Sequence, residues 1–203
     1  MLSIKKKMKN NKNIGTSPLN TNVDKDLAFS VVARDFKDEI EFGYYIAGFS
    51  DAESSFVIKI SKSNKTKTEW RIDPAFEIGL NVTELALLKQ IQSFFGVGTI
   101  RMNVRNNSAV YAVQSVKDLT NVIIPHFQEY PLISQKRADF ELFRSAVDIM
   151  NRKQHLSPEG LQEIVNLRAT LNNGLTDKLK DSFPKTKPAT RAEIQFAGIP
   201  NPN

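Results

Sequence analysis

Three observations predict an α+β fold with one four-stranded antiparallel sheet. Stretches of helical and strand periodicity follow each other as helix, two strands, helix, two strands, helix, an αββαββα order. Within each strand pair, two alternating runs are joined by a short polar turn, the mark of a hairpin. After residue 130 the periodicity stays helical, which adds extra C-terminal helices behind the sheet.

Each element has its own signal. The first helix is apolar and ends on two acids, Asp51 and Glu53, where a strand-like run over 54–60 begins at once. Two strands follow, Ser55 to Lys62 and Trp70 to Asn81, around the turn Ser63-Asn64-Lys65-Thr66-Lys67. Thr83 to Phe95 has apolar residues at helical spacing and stops at Gly96. Gly98 to Val104 and Ala109 to Val113 make the second hairpin around Arg105-Asn106-Asn107-Ser108, and Val116 to Tyr130 returns to helix. A long helix then runs to about Lys153, and Ser157-Pro158 caps another.

The composition is that of a globular domain, with 40% hydrophobic and 25% charged residues, and residues 36–183 hold the folded part. Residues 1–35, which open with clustered Lys and Asn, read as a basic, disordered extension; residues 184–203, rich in Pro and Lys, read as a linker. No apolar run is long enough to span a membrane, so no membrane partner is expected. The absence of cysteine excludes disulfides and thiol chemistry. The two histidines lie far from other ligands and do not make a zinc site, and Gly96-Val97-Gly98 lacks the lysine and third glycine of a phosphate-binding loop. Lys plus Arg is 28 against 22 for Asp plus Glu, a net charge of +6. Basic excess is the footprint of a phosphate binder, and many RNA-binding proteins share it.

The helix end carries the chemistry. A carboxylate at the negative end of a helix dipole is disfavoured by about 0.3–1 kcal/mol unless a cation is held against it. Two positions apart on a helix turn side chains about 200° from each other, so only one of Asp51 and Glu53 can bind a given metal. Gly48 and Ala52, four apart and on one face with Tyr45 and Phe49, allow a second helix to approach closely and bring a second acid alongside. Paired acids at a shared junction suit two-metal phosphodiester hydrolysis.

Alternation assigns the strand faces. Phe56, Ile58 and Ile60 point under the helices, and Ser55, Val57, Lys59 and Ser61 point away. The same outer face takes Arg71, Asp73, Ala75, Glu77 and Gly79, then Thr99, Arg101 and Asn103, with Tyr111 assigned to it from the fourth strand. Such a face offers donors and acceptors for base edges in a major groove, while Lys62, Lys65 and Lys67 suit phosphates. A plain solvated sheet face is the alternative.

At this point the residues resemble a family. Ile46-Ala47-Gly48-Phe49-Ser50-Asp51-Ala52-Glu53-Ser54 is similar to the nine-residue motif of the LAGLIDADG homing endonucleases, with Glu53 at the last acidic position and Ser54 where glycine is usual. The departure at Ser54 is expected to alter the helix-to-strand turn. Tyr130-Pro131-Leu132 and Gln135-Lys136 resemble a further segment of the family, and the likeness extends over roughly residues 39 to 199. It implies a site-specific DNA endonuclease using Mg²⁺, with Glu53 and Ala52 at the metal and Lys136 as the basic residue near the scissile phosphate. It also implies a double-stranded DNA target and a second unit of the same kind, either another copy or the other half of a two-motif enzyme, because no second acidic motif follows. Family members of this form are commonly encoded in organellar introns, which points to the mitochondrion. An RNA-binding intron maturase or ribosome-associated factor on the same fold is the alternative, with intron RNA as its partner.

Overall fold

Residues 38–192 are described by the structure, a computed structural model; the extension expected at 1–35 and residues 193–203 of the expected linker lie outside them. Helix α1 (Glu39–Glu53) starts at Asp38, whose carboxylate accepts the Glu41 amide at 2.8 Å. Glu39 and Glu41 sit in its first turn, where the helix dipole favours acids. Gly43, Ile46, Ala47 and Ser50 form its buried stripe at the three-to-four residue spacing of a helix face. Gly43 is needed there, since a Cβ would stand 2.6 Å from the Tyr130 ring.

Strand β1 (Ser54–Lys62) follows with no loop. Ser54 is extended, at φ −93° and ψ 164°, so the junction has no need of glycine. Its amide and its hydroxyl both donate to the Ser50 carbonyl, the hydroxyl at 2.6 Å. Serine in place of the usual glycine therefore tightens the turn.

β1 pairs antiparallel with β2 (Trp70–Asn81), from Ser54 opposite Ile78 to Lys62 opposite Trp70. β3 (Thr99–Asn103) and β4 (Ser108–Val113) form the second hairpin, and β4 lies against β2, giving the sheet order β1-β2-β4-β3. Pro74, in a strand with neighbours on both sides, is tolerated because β4 pairs with β2 only from Phe76 onward. Its missing amide leaves no ladder bond unmade.

Between the hairpins, one 3₁₀ turn (Val82–Glu84) leads into α2 (Leu85–Phe95), which ends on Gly96 in the left-handed region, φ 65°. The helix expected over 116–130 is α3 (Val116–Asp118), a π turn (Leu119–Ile123) and α4 (Ile124–Glu129) in succession. Pro125, which cannot donate to the preceding turn, stands two residues past the π segment. Then come α5 (Lys136–Asn151), α6 (Pro158–Thr170) and α7 (Asp177–Ser182), with the Ser157 hydroxyl capping α6 through the Gly160 amide at 3.1 Å.

The core lies between one sheet face and the helices. Phe56, Phe76, Ile58, Ile78 and Tyr111 are almost fully buried, and the Phe56 ring stands 5.3–5.6 Å from those of Phe76, Phe127, Phe140 and Phe143. Each such side chain contributes roughly 1.5–3 kcal/mol of burial. Beyond α7, residues 184–192 have no helix or strand but are not a free linker. The Ala189 amide and carbonyl bond to Asn166 and Thr170 of α6, and Arg191 pairs with Asp139 of α5 at 3.1 Å.

β1 is an edge strand, and its outward carbonyls are all occupied over its first half. Ser54 accepts the Lys136 ammonium, Phe56 the Asn172 amide group at 2.9 Å, and Ile58 the Arg168 guanidinium at 3.0 Å. Arg168 also donates to the carbonyls of Leu171 and Gly174, at 2.9 and 2.7 Å.

Candidate functional site

The two acids at the end of α1 have opposite fates. Asp51 is consumed by the chain: it accepts the Ile133 amide at 2.9 Å, the Ser134 amide at 3.3 Å and the Ser134 hydroxyl at 2.6 Å. Those donors offset its charge at an unfavourable helix end. Glu53, the last residue of α1, is exposed, and α1 has no basic residue in its last turn. Its carboxylate is thus open to solvent beside the carbonyls of the final turn, which a helix leaves without intrahelical partners and of which Ser50's is taken by Ser54. Ala52 belongs to that turn and is exposed beside it.

Lys136 opens α5 and is half-buried. Its ammonium donates to the Ser54 carbonyl and its amide to the Ser134 hydroxyl at 3.1 Å. A lysine 82 residues away in sequence is thereby tied to the residue that follows Glu53.

The donor set suits a hard divalent ion, with one carboxylate and adjacent carbonyl oxygens and no thiolate or imidazole. Among the described residues no group of three or more His, Cys, Asp or Glu side chains stands together.

On the face of the sheet away from the helices, Ser55, Lys59, Arg71, Gly79, Thr99, Arg101 and Asn103 are exposed, and Val57, Ser61, Asp73 and Glu77 are half-buried. Arg71 pairs with Asp73 at 2.7 Å and Arg101 with Glu77 at 3.4 Å. The second pair spans the intervening β4, where the small Ala112 faces Glu77 on one side and Thr99 on the other. Asn103 has its side-chain oxygen committed to the Arg105 amide at 3.1 Å. Lys62 lies over the Trp70 ring at 5.8 Å, and Lys65 and Lys67 are exposed in the hairpin turn.

Two residues assigned to this face need correction. Tyr111 belongs to the core: opposite both Ile78 and Ile100, it is fully buried, stacks on Phe95 and donates its hydroxyl to the Val97 carbonyl at 2.9 Å. Ala75 is on the face but only 4% exposed, too enclosed to reach a ligand.

The exposed flank of α1 gathers Tyr44, Tyr45, Gly48 and Ala52, and an added Cβ at Gly48 would meet nothing within 4 Å. Tyr45 and the half-buried Phe49 are stacked at 5.7 Å and, with Glu53, line an open hollow closed by Leu80, Leu87 and the turn at 106–108. Sequence reasoning did not connect that turn with Glu53. The signal was available in the register, since Ser108 stands opposite Asn81 at the end of the sheet where β1 starts.

The profile of the family described as LAGLIDADG endonuclease matches residues 46–147. The chain is 41% identical over 152 residues to probable intron-encoded endonuclease 2 of Neurospora crassa, covering 74% of this chain and 34% of that protein. Homing endonuclease I-ApeII of Aeropyrum pernix is 30% identical over 112 residues, 55% of this chain and 65% of that protein. Among solved structures, LAGLIDADG meganuclease I-CpaMI bound to uncleaved DNA is 43% identical with a TM-score of 0.74, covering 79% of this chain and 54% of that one. I-SmaMI bound to an uncleaved DNA target with calcium ions is 37% identical with a TM-score of 0.75, at 79% and 54% coverage. The chain therefore spans about a third of the Neurospora relative and about half of the solved chains it matches.

Proposed function

Because the chain belongs to the LAGLIDADG endonuclease family, we propose that it is one unit of a metal-dependent endonuclease that cuts double-stranded DNA at specific sites. The observation that carries this reading is the uncompensated Glu53 carboxylate at a helix end, beside an acid whose charge is fully answered. The solved relatives I-CpaMI and I-SmaMI are bound to DNA, the latter with calcium, which supports both the substrate and a divalent ion; Mg²⁺ is the ion we assign. An ion bound there would supply activation of a water and stabilisation of the leaving oxygen of the phosphodiester.

This chain's residues divide the remaining work. Glu53, with the Ala52 carbonyl, would hold the ion. Lys136, held at the Ser54 carbonyl one residue past Glu53, supplies positive charge for the charge that develops on the phosphate. The face bearing Lys59, Arg71, Glu77 and Arg101 reads base edges, and Lys62, Lys65 and Lys67 hold phosphates. The α1 flank of Tyr45, Gly48, Phe49 and Ala52 receives a second unit, from another copy or a separate half. Two-fold pairing of copies would read near-palindromic DNA. Relatives named for ND4 and cox1 introns support an intron-encoded, mitochondrial origin.

The test is to incubate the purified chain with Mg²⁺ and a library of long DNA targets, alone and mixed with the second half of a two-motif relative. Double-strand cuts at a defined site are expected. Tight binding to intron RNA with no DNA cut under either condition would replace this reading with the maturase.

A further inference from the structure

Only one of the two acids at the end of α1 enters the chemistry above. Asp51 is tied instead to the turn that starts α5. Its Oδ2 accepts the Ile133 amide at 2.9 Å, and its Oδ1 accepts the Ser134 amide at 3.3 Å and the Ser134 hydroxyl at 2.6 Å. Having donated its proton to Asp51, the Ser134 oxygen accepts the Lys136 amide at 3.1 Å. The Lys136 ammonium then returns to the Ser54 carbonyl. A circuit of hydrogen bonds thus leaves α1 at Asp51 and rejoins the chain one residue past Glu53. It fixes the lysine at both its backbone and its head.

We propose that Asp51 and Ser134 are positioning residues for Lys136, and that Asp51 influences cleavage only through that lysine. The consequence for rate rests on the endonuclease reading; the consequence for structure does not. A lysine has a long flexible stem, and a cation aids a developing charge only when it is already in place. Gln135, at the start of α5, makes no side-chain cap, so the turn depends on the acceptor that Asp51 supplies from another element. The arrangement answers two unfavourable ends together: Asp51 at the end of α1 gains donors, and the start of α5 gains a nearby anion through the Ile133 and Ser134 amides just before it, with Ser134 passing an acceptor to the first amide of the helix, Lys136.

The test is a double-mutant cycle on a cleaved target, reading single-turnover rate in Mg²⁺ and affinity in Ca²⁺. Asp51→Asn and Ser134→Ala are each expected to slow cleavage at least about tenfold, with affinity changed less than about threefold, and Ser134→Thr to retain most of the rate. In a Lys136→Met background, adding Asp51→Asn should change the rate by less than about twofold. An equal fall in both backgrounds would show that Asp51 acts through general packing and would overturn the proposal. Amide hydrogen exchange supplies an arm independent of cleavage: Lys136 should exchange about tenfold faster in either variant while β1 amides keep their protection. Unchanged exchange at Lys136 would also overturn it, and if Asp51→Asn does not fold, Ser134→Ala carries both measurements. Should the wild-type protein cut no DNA, the endonuclease reading fails and the exchange result alone decides the positioning.

Discussion

The two edges of the sheet are treated differently. Along β1, the carbonyls of Ser54, Phe56 and Ile58 are matched by side chains from three places in the C-terminal part, Lys136 of α5, Asn172 in the turn after α6 and Arg168 of α6. Along β3, four of five residues are exposed, and Met102 and the following Val104 are 60% and 87% exposed. An unpaired strand edge is a liability that proteins cover or blunt. Here the covered edge begins at the residue after Glu53, so the C-terminal helices brace the strand nearest the proposed chemistry. The open edge belongs to a strand whose Arg101 and Asn103 are assigned to bases.

The largest effect should come from stripping the brace. Arg168→Ala removes bonds to three carbonyls and leaves those of Ile58 and Gly174 without that donor, while Leu171 keeps the Gly174 amide, so unfolding free energy in urea should fall by about 2–4 kcal/mol. A loss below about 1 kcal/mol would show that Arg168 does not brace β1.

Acid should separate the edges next. The His126 ring is buried against Phe94, Phe95, Phe127 and Tyr130, and burial lowers its pKa to about 4. The folded chain keeps it neutral while the unfolded chain takes up a proton near 6.5. Its contribution is therefore complete above pH 6.5 and is lost as the pH falls through about 4, a decline of up to about 3 kcal/mol. His126→Phe should remove that slope. Since α2, which carries Phe94 and Phe95, packs on β3 and β4, faster amide exchange at pH 5 should appear there before it appears in β1. Equal loosening of both edges would erase the distinction.

The smallest change in stability is expected at the open edge. Arg101→Ala removes an exposed ion pair and should alter unfolding free energy by less than about 0.5 kcal/mol. In binding it should relax preference at one base position by about 1–3 kcal/mol, measured by competition among single-base variants of the target. A uniform loss over all sequences would assign Arg101 to phosphate instead.

The covered edge also marks where sequence reasoning reached its limit. The element order, the hairpins and the α6 cap were legible because alternation, helical spacing and capping residues act over a few positions. Tyr111 was misplaced because Val110-Tyr111-Ala112-Val113 has no polar phase to orient it, and only its register against Ile78 and Ile100 does so. The roles of Asp51 and Lys136 depend on partners 82 to 83 residues away, beyond any local pattern. Arg168 left a readable trace: it continues the apolar stripe of Leu161, Ile164 and Val165 at helical spacing, where a cation must find acceptors.

The most direct measurement compares wild-type protein with Glu53→Gln, scoring cleavage in Mg²⁺ and affinity in Ca²⁺ on the same DNA. The substitution keeps the side chain's shape and removes its charge. We expect cleavage to vanish and affinity to hold, since binding rests on the sheet and the lysines rather than on the helix end. Cutting at near wild-type rate by the glutamine variant would contradict the assignment of Glu53 to the metal.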